Sequence, residues 1–297
     1  MLFRNVAELV ELAESQNKKI SEIMIEQEIA MTRRTREEIL GQMDRNLEVM
    51  EKAVERGLEG VQSHSGLTGG DAVLIQKYIQ KGKTLTGATI LDAVSKAVAT
   101  NEVNAAMGTI CATPTAGSAG VVPGTLFAVK DKLNPTREEM VRFLFTSGAF
   151  GFVVANNASI SGAAGGCQAE VGSAAGMAAA AIVEMAGGTP SQSAEAMAIT
   201  LKNMLGLVCD PVAGLVEVPC VKRNAMGAAN AMVAADMALA GVTSRIPCDE
   251  VIDAMFKIGQ SMPTALKETA QGGLAATPTG RELEAKIFGI ALNKRDK

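Results

Sequence analysis

Three of the five cysteines lie in short loops of glycine, proline and other small residues, where thiol chemistry is favoured. Cys167 occurs in G-G-C-Q-A-E, and Cys209 and Cys220 bracket the segment C-D-P-V-A-G-L-V-E-V-P-C. The sequence predicts that Cys167 precedes a helix and that Cys220 begins one. Backbone N–H groups and the helix dipole at such positions lower the pKa of a thiol and favour the thiolate, the form that binds soft metals.

The spacing of these cysteines leaves two interpretations open. Three thiolates suit an iron–sulfur cluster with one iron open to another ligand, although the spacing matches neither a ferredoxin nor the CxxC pairs of a zinc site. Free cysteines are also commonly small buried hydrophobes, and core packing accounts for the same residues without a metal. The odd cysteine count and the acidic, amphipathic N-terminus argue against a secreted disulfide framework and predict a cytoplasmic protein.

The only histidine lies in a polar, glycine-rich loop, V-Q-S-H-S-G-L-T-G-G-D. His64 stands there between Ser63 and Ser65. Imidazole titrates in the range that a general base requires, so His64 is a candidate for proton transfer. A histidine that only hydrogen-bonds its own loop is the alternative.

Further polar residues in or beside small-residue loops could bind a substrate. The loop T-P-T-A-G-S-A-G offers hydroxyl groups, including that of Ser118, and glycine N–H groups, which suit a carboxylate or a cluster sulfide. Arg223 follows Cys220 and could hold a carboxylate through two parallel hydrogen bonds. A tight polar turn and a solvated helix face are the alternative interpretations. The substrate-binding candidates outside the histidine loop are Thr113, Thr115, Asn156, Asn157, Arg223 and Asn224.

The overall composition excludes several classes of function. Net charge is −4, and basic residues form no block with interleaved aromatics, so nucleic-acid binding is not expected. The most apolar tracts are too short and too rich in alanine to span a bilayer, so no membrane association is expected. With 47% apolar but only 3% aromatic residues, the core must be built from aliphatic side chains and methionine.

The hydrophobic periodicity predicts a mainly α protein with little β structure. Residues 1–297 are expected to form a single catalytic domain, with 1–60 as peripheral helices and Ala/Gly-rich helices buried at the centre. Glycine- and proline-rich loops between the helices are expected to carry the active site. Val121-Val122 and Leu126–Val129 are the best candidate strands, and Asn134-Pro135 is expected to open a helix.

The cysteine motifs and several longer stretches closely resemble the iron–sulfur L-serine dehydratases. The likeness is carried by G-G-C-Q-A-E-V-G-S-A-A-G-M, G-L-V-C-D-P-V-A-G-L-V-E-V-P-C and K-R-N-A. It extends over nearly the whole chain through S-H-S-G-L-T-G-G, T-P-T-A-G-S-A-G-V-V-P-G and G-L-A-A-T-P-T-G. The chain looks like the α subunit of the two-subunit bacterial type.

The resemblance implies a cofactor, a ligand set and a reaction. A [4Fe-4S] cluster would be held by Cys167, Cys209 and Cys220, with its fourth iron open to substrate. Loss of water from L-serine would give an aminoacrylate that hydrolyses to pyruvate and ammonia, without pyridoxal phosphate. The base at Cα would be His64 or a deprotonated serine, Ser65 or Ser118. An iron–sulfur binding or electron-transfer module and a metal-free structural protein are the alternative functions.

Two departures from other members of the family bear on partners and regulation. Single-chain members carry an additional N-terminal domain that helps to bind serine, which implies a separate β subunit for this chain. Some members end in a cysteine that caps the open iron, whereas this chain ends in N-K-R-D-K. Capping of the iron by the chain's own tail is therefore not expected.

Overall fold

Thirteen α-helices make up most of residues 1–289, the part of the chain that the computed structural model describes. Residues 1–289 contain no strand beyond two isolated bridges, Gln62 with Gly69 and Cys209 with Lys267, which confirms the mainly α prediction. The helices, in chain order, are α1 Val6–Ser15, α2 Ile20–Thr32, α3 Arg36–Glu59, α4 Asp71–Gln80, α5 Ala88–Ala105, α6 Val121–Leu133, α7 Arg137–Asn157, α8 Gly162–Gly165, α9 Ser173–Met185, α10 Pro190–Lys202, α11 Cys220–Leu239, α12 Cys248–Ser261 and α13 Pro278–Phe288.

Tighter and wider helical turns interrupt this pattern around the cysteines. A π-helical turn, Gln168–Gly172, follows Cys167 and leads directly into α9. Short 3₁₀ turns occupy Val212–Gly214, between Cys209 and Cys220, and Thr264–Leu266, after α12. Such π turns inside helices are rare and frequently occur at functional sites.

The helix α9 lies at the centre of the core, as the Ala/Gly-rich composition predicts. Every residue from Ser173 to Glu184 is buried, and α6, α7, α10 and α11 pack around the helix. Outside this layer, α2 packs on α7 and α3 packs on α5, so the N-terminal helices are peripheral. Small residues allow α5 and α6 to approach closely, since a Cβ atom at Gly124 would lie 2.7 Å from the backbone nitrogen of Ala97.

The strand prediction for Val121–Val122 and Leu126–Val129 is wrong, because both segments belong to α6. All nine residues from Val121 to Val129 are buried. A helix that is buried on every side shows a continuous apolar run, which periodicity alone does not distinguish from a central strand. Pro123 fits the first turn of α6, where a helix needs no backbone N–H donor.

The expectation that Asn134-Pro135 opens a helix, with Asn134 as its N-cap, is also wrong. Asn134 instead ends α6 in the left-handed conformation, with φ of 49°. Asparagine is one of the few residues that adopt this C-terminal cap readily. Thr136 caps α7, in a reciprocal capping box with Glu139.

Buried carboxylates from the core tie two of the outer helices in place. Glu184 of α9 accepts a hydrogen bond of 2.6 Å from the backbone N–H of Ile20 at the start of α2. Glu102 of α5 accepts one of 2.7 Å from the N–H of Asp71, the first residue of α4. Neither helix has a capping side chain of its own. The carboxylate of Glu102 therefore fixes the end of the histidine loop, residues 61–70.

None of the helices within residues 1–289 combines the length and apolarity that crossing a membrane requires. The tail N-K-R-D-K lies outside the described residues. The division of the full chain 1–297 into domains stays a prediction.

Candidate functional site

Cys167, Cys209 and Glu170 bring their donor atoms together within 4.8 Å of one another. The two cysteines are 1% and 2% exposed, and Glu170 is 8% exposed. The three residues come from the start of the π turn and from the loop after α10. Two soft sulfur donors and one carboxylate in such a buried space form a candidate metal-binding site.

Gln168 links the segment that carries Cys167 to the segment that carries Cys209. Its backbone N–H donates to the carbonyl oxygen of Leu207 at 2.9 Å, and its side-chain oxygen accepts from the N–H of Gly206 at 2.9 Å. Gln168 is only 1% exposed. Because buried hydrogen bonds are costly to break, the relative position of the two cysteines is strongly constrained.

The backbone of Cys209 is held from the opposite side by residues after α12. The N–H of Cys209 donates to the carbonyl oxygen of Leu266 at 2.8 Å, and the N–H of Glu268 donates to the carbonyl oxygen of Cys209 at 2.7 Å. Glu268 adopts a positive φ of 62°, which is uncommon for a residue with a side chain. The segment that contacts Cys209 on this side therefore lies about sixty residues after it in sequence.

The predicted helix starts at two of the cysteines are confirmed. Cys220 is the first residue of α11 and is 6% exposed, and Cys167 directly precedes the π turn.

The side chain of Asn224 fixes the N-terminal end of α11. Its amide N–H groups donate to the carbonyl oxygens of Cys220 at 3.0 Å and Gly117 at 2.7 Å, and its oxygen accepts from the N–H of Gly120 at 3.2 Å. Asn224 thereby joins α11 to the loop 113–118.

Arg223 places a positive charge beside Cys167. Its Nη1 group donates to the carbonyl oxygen of Val208 at 2.7 Å and lies 3.5 Å from the sulfur of Cys167. Its Nη2 atom forms an ion pair of 2.8 Å with Asp210. The guanidinium group of Arg223 is thus already bound to Val208 and Asp210 and lies beside Cys167. Only its remaining N–H groups could bind a carboxylate of another molecule.

The surroundings give the three thiols different acidities. The pKa of Cys167 is lowered, because the thiol of Cys209 donates a hydrogen bond to its sulfur and Arg223 stabilises the thiolate against the cost of burial. The pKa of Cys209 is raised by the same hydrogen bond and by burial. Burial also raises the pKa of Cys220.

Glu170 lies between two glycines and the loop 113–118. The hydroxyl of Thr115 donates to its Oε1 atom. A Cβ atom at Gly117 would lie 2.5 Å from Oε1, and one at Gly162 would lie 3.1 Å from Oε2. Burial raises the pKa of Glu170, and the hydrogen bond from Thr115 opposes the shift. Because Gly117 and Gly162 have no Cβ atom, they leave room for the carboxylate group of Glu170. A larger residue at either position would clash with that group.

The loop 113–118 is organised by its own hydroxyl groups. Ser118 is fully buried, and its Oγ atom lies 3.1 Å from the carbonyl oxygen of Thr113 and 3.1 Å from the Oγ1 atom of Thr115. The structure thus brings these three predicted site residues together, and Thr115 connects them to Glu170.

The histidine loop reaches the cysteine loop through Ser65. Its hydroxyl lies 2.8 Å from both carboxylate oxygens of Glu217, three residues before Cys220. The Oγ atom of Ser63 lies 3.2 Å from that of Ser65. His64 itself is exposed between the two serines.

Asn156 and Asn157 lie at the C-terminal end of α7, and their side-chain amides donate to backbone carbonyl oxygens of α7 and of the N-terminal segment. Asn156 donates to the carbonyl oxygen of Phe152 at 2.7 Å. Asn157 donates to those of Arg4 at 2.7 Å and Val153 at 2.9 Å. These contacts close the last turn of α7, and substrate binding by either residue stays a prediction.

Four acidic residues of the site were not predicted from the sequence. Three of them lie inside the cysteine motifs, in C-Q-A-E, C-D-P and V-E-V-P-C, so their closeness to a cysteine was a usable signal. The sequence gives no comparable indication for Glu268, because only the tertiary fold brings this residue next to Cys209. The residues are Glu170, Asp210, Glu217 and Glu268.

The two sulfurs that meet are of the kind that hold an iron–sulfur cluster, whereas Cys220 is not part of the group of donor atoms within 4.8 Å. Three buried cysteines and a cationic side chain at one sulfur are features that a thiolate-bound cluster uses. A Cβ atom at Gly162 would lie only 2.9 Å from the sulfur of Cys209.

Comparison with known proteins identifies closely similar chains. Residues 15–275 match the family model described as serine dehydratase alpha chain. A probable L-serine dehydratase alpha chain of Bacillus subtilis is 80% identical over 295 residues, which cover 99% of this chain and 98% of that protein. The L-serine dehydratase alpha chain of Peptoniphilus asaccharolyticus is 43% identical, covering 95% and 97%. The L-serine dehydratase of Streptomyces coelicolor is 39% identical, covering 92% of this chain but 60% of that longer protein.

Proposed function

The chain belongs to the serine dehydratase alpha chain family, and we propose that it converts L-serine to pyruvate and ammonia by eliminating water. Relatives named as L-serine dehydratases support this reaction. The observation that carries the proposal is the convergence of Cys167, Cys209 and Glu170 within 4.8 Å, beside the loop 113–118.

Cys167, Cys209 and Cys220 would hold a [4Fe-4S] cluster in this site. When bound, the cluster would supply an open iron that acts as a Lewis acid toward the serine hydroxyl, a poor leaving group. Arg223 would stabilise the thiolate of Cys167, since it lies 3.5 Å from that sulfur. The reaction requires no pyridoxal phosphate.

Proton removal from Cα is assigned to His64, with Ser65 and Ser118 as competing bases. His64 is exposed and therefore accessible from solvent. The hydroxyl of Ser65 is directed to the carboxylate of Glu217, and Ser118 is buried within its own loop. These contacts favour His64 as the base and the two serines as residues that hold the loops in position.

Hydroxyl and amide groups around the site would orient the substrate. Thr113 and Thr115 line the loop beside Glu170, Ser63 lies next to His64, and Asn224 fixes the start of α11. Arg223 retains N–H groups for the serine carboxylate. Asn156 and Asn157 complete the proposed substrate-binding set.

A separate β subunit would complete the enzyme. The Bacillus subtilis and Peptoniphilus asaccharolyticus relatives, which this chain matches nearly end to end, are both named as alpha chains. The longer Streptomyces coelicolor relative is named simply as an L-serine dehydratase. These names support a two-chain enzyme.

Anaerobic purification with and without the β partner tests the proposal. The complex should be brown, contain about four irons per alpha chain, and form pyruvate from L-serine. A colourless, iron-free complex that is fully active would contradict the cluster, and a brown complex that forms no pyruvate would contradict the reaction.

A further inference from the structure

A cavity of about 410 Å³ lies between the helices α2, α3 and α7. Its volume is in the range of small-molecule binding sites, about 300–1,000 Å³. Its lining residues differ from those assigned above to the metal, to proton transfer and to the substrate. Most of the wall is apolar and is formed by Met24, Ile39, Met43, Phe145, Phe152 and Met177.

Gly148 of α7 borders the open space of this cavity. A Cβ atom added at Gly148 would meet no other atom within 4 Å, whereas one at Gly151 would lie 2.8 Å from the Cε atom of Met177. The cavity therefore extends from Gly148, and Met177 closes it beside Gly151. The three methionines of the wall can adapt to apolar groups of different shape, because their side chains are unbranched and flexible.

Two opposite charges line the same cavity without pairing. Glu28 is half-buried on α2, and Arg34 is exposed in the segment between α2 and α3. Within residues 1–289 neither forms an ion pair, so the carboxylate oxygens of Glu28 lie more than 4.0 Å from the guanidinium nitrogens of Arg34. Elsewhere on α2, Glu22 does pair, at 2.6 Å from Arg36. The charges of Glu28 and Arg34 are therefore both available to a ligand.

We propose that this cavity binds a free α-amino acid with an apolar side chain, such as leucine, methionine or phenylalanine. The guanidinium of Arg34 would bind the carboxylate, Glu28 would bind the ammonium group, and the apolar wall would cover the side chain. A purely apolar ligand would leave both charges without a partner, and a fatty acid would place a second negative charge beside Glu28. L-Serine would leave the apolar wall uncovered, because its side chain ends in a hydroxyl.

The proposed site is adjacent to the candidate active site but separate from it. Pro114 lines the cavity and lies between Thr113 and Thr115, and Thr115 donates to Glu170. A bound amino acid would therefore contact the loop 113–118 from the side of α2, α3 and α7. Binding in the cavity does not depend on the proposed reaction of L-serine, so the two proposals can fail independently.

Isothermal titration calorimetry of L-leucine into the full chain and into its anaerobic complex with the β partner tests the site. Both should bind one leucine per alpha chain with a Kd below about 1 mM. 4-Methylpentanoate lacks the ammonium group and 3-methylbutylamine lacks the carboxylate, so each should bind at least about tenfold more weakly than leucine.

Three variants place the ligand in the cavity. Arg34→Gln should weaken leucine about 10- to 100-fold and leave 3-methylbutylamine within about twofold, because that amine has no carboxylate. Glu28→Gln should weaken leucine to a similar extent and leave 4-methylpentanoate unchanged or tighter. Gly148→Met fills the cavity and should weaken all three compounds at least about tenfold. Arg33→Gln is the matched control, because Arg33 is exposed and is not a lining residue.

Several outcomes would overturn the inference. One is that leucine, methionine and phenylalanine all fail to bind the wild-type chain. Another is that leucine binds no better than its two analogues, or binds Gly148→Met and Arg34→Gln as it binds wild type. Leucine binding to the chain alone but not to the complex would show that the β subunit covers the cavity. If Gly148→Met does not fold, the two charge variants on the surface of α2 and its following segment still decide the question.

Discussion

The hydroxyl of Ser65 lies 2.8 Å from both carboxylate oxygens of Glu217, and this contact joins the loop of His64 to the loop between Cys209 and Cys220. Glu217 is 5% exposed, so its charge is largely removed from water and depends on such donors. The contact holds the loop of the candidate base against the loop between the two cysteines, although Ser65 and Glu217 lie about 150 residues apart in sequence.

Ser65→Ala, Glu217→Ala and the double variant measure the strength of that contact. Each single change should lower kcat about 10- to 100-fold, because misplacing His64 costs orientation at Cα. The coupling free energy from the double-variant cycle should be about 1–2 kcal/mol. Ser261→Ala, a surface change at the end of α12, is the control. Strictly additive effects on kcat would show that the two loops act independently.

Cysteine replacements test the ligand set. Cys167→Ser, Cys209→Ser and Cys220→Ser should each lose most of the iron and the visible absorption of the anaerobic complex, because hydroxyl groups bind iron–sulfur clusters poorly. Cys248→Ser is the control, since Cys248 lies buried at the start of α12 and serves packing. Full iron content in any of the first three variants would remove that residue from the ligand set.

Gly162→Ala should impair the site without unfolding the protein. Its methyl group would lie 2.9 Å from the sulfur of Cys209, so the site must shift or lose space for a ligand. We expect lower iron content or at least tenfold weaker serine binding, with a melting temperature within a few degrees of wild type. Gly148→Ala is the matched control, because a Cβ atom there would meet no other atom within 4 Å. Equal behaviour of the two variants would contradict the proposed crowding.

The stability of the N-terminal helices should depend on pH through Glu22. Hydrogen bonds of 2.6 Å from Arg36 and a further one from Arg142 lower the pKa of Glu22 to about 2. Because the folded pKa lies below the unfolded value of about 4.3, this carboxylate stabilises the protein above pH 4.3, and the stabilisation is lost as pH falls toward 2.

Urea unfolding of wild type and Glu22→Gln at pH 7 and pH 3 checks this expectation. The difference should be about 1 kcal/mol at pH 7, reduced by solvent screening of a partly exposed pair, and smaller at pH 3. Glu37→Gln, on the exposed side of α3, should show no such change between the two pH values. A difference that grows at pH 3 would refute the assigned sign.

Local sequence signals predicted the features that depend on neighbouring residues. The helix starts at Cys220 and after Cys167 and the burial of the alanine-rich α9 follow from capping positions and composition, and the structure confirms them. The strand assignments for Val121-Val122 and Leu126–Val129 failed because these residues are buried on all sides of α6. An apolar run loses its periodicity when every face of an element contacts the core.

The sequence by itself determined the helical class, the three cysteines and the loops that surround them, because motifs and helix periodicity are local. Only the tertiary structure decided which side chains meet there. It brings Glu268 to Cys209, directs Ser65 to Glu217 and engages Arg223 with Asp210 and Cys167. The physical reason is that charges and hydrogen bonds act over a few ångströms in space, and the spacing of residues along the chain does not specify those distances.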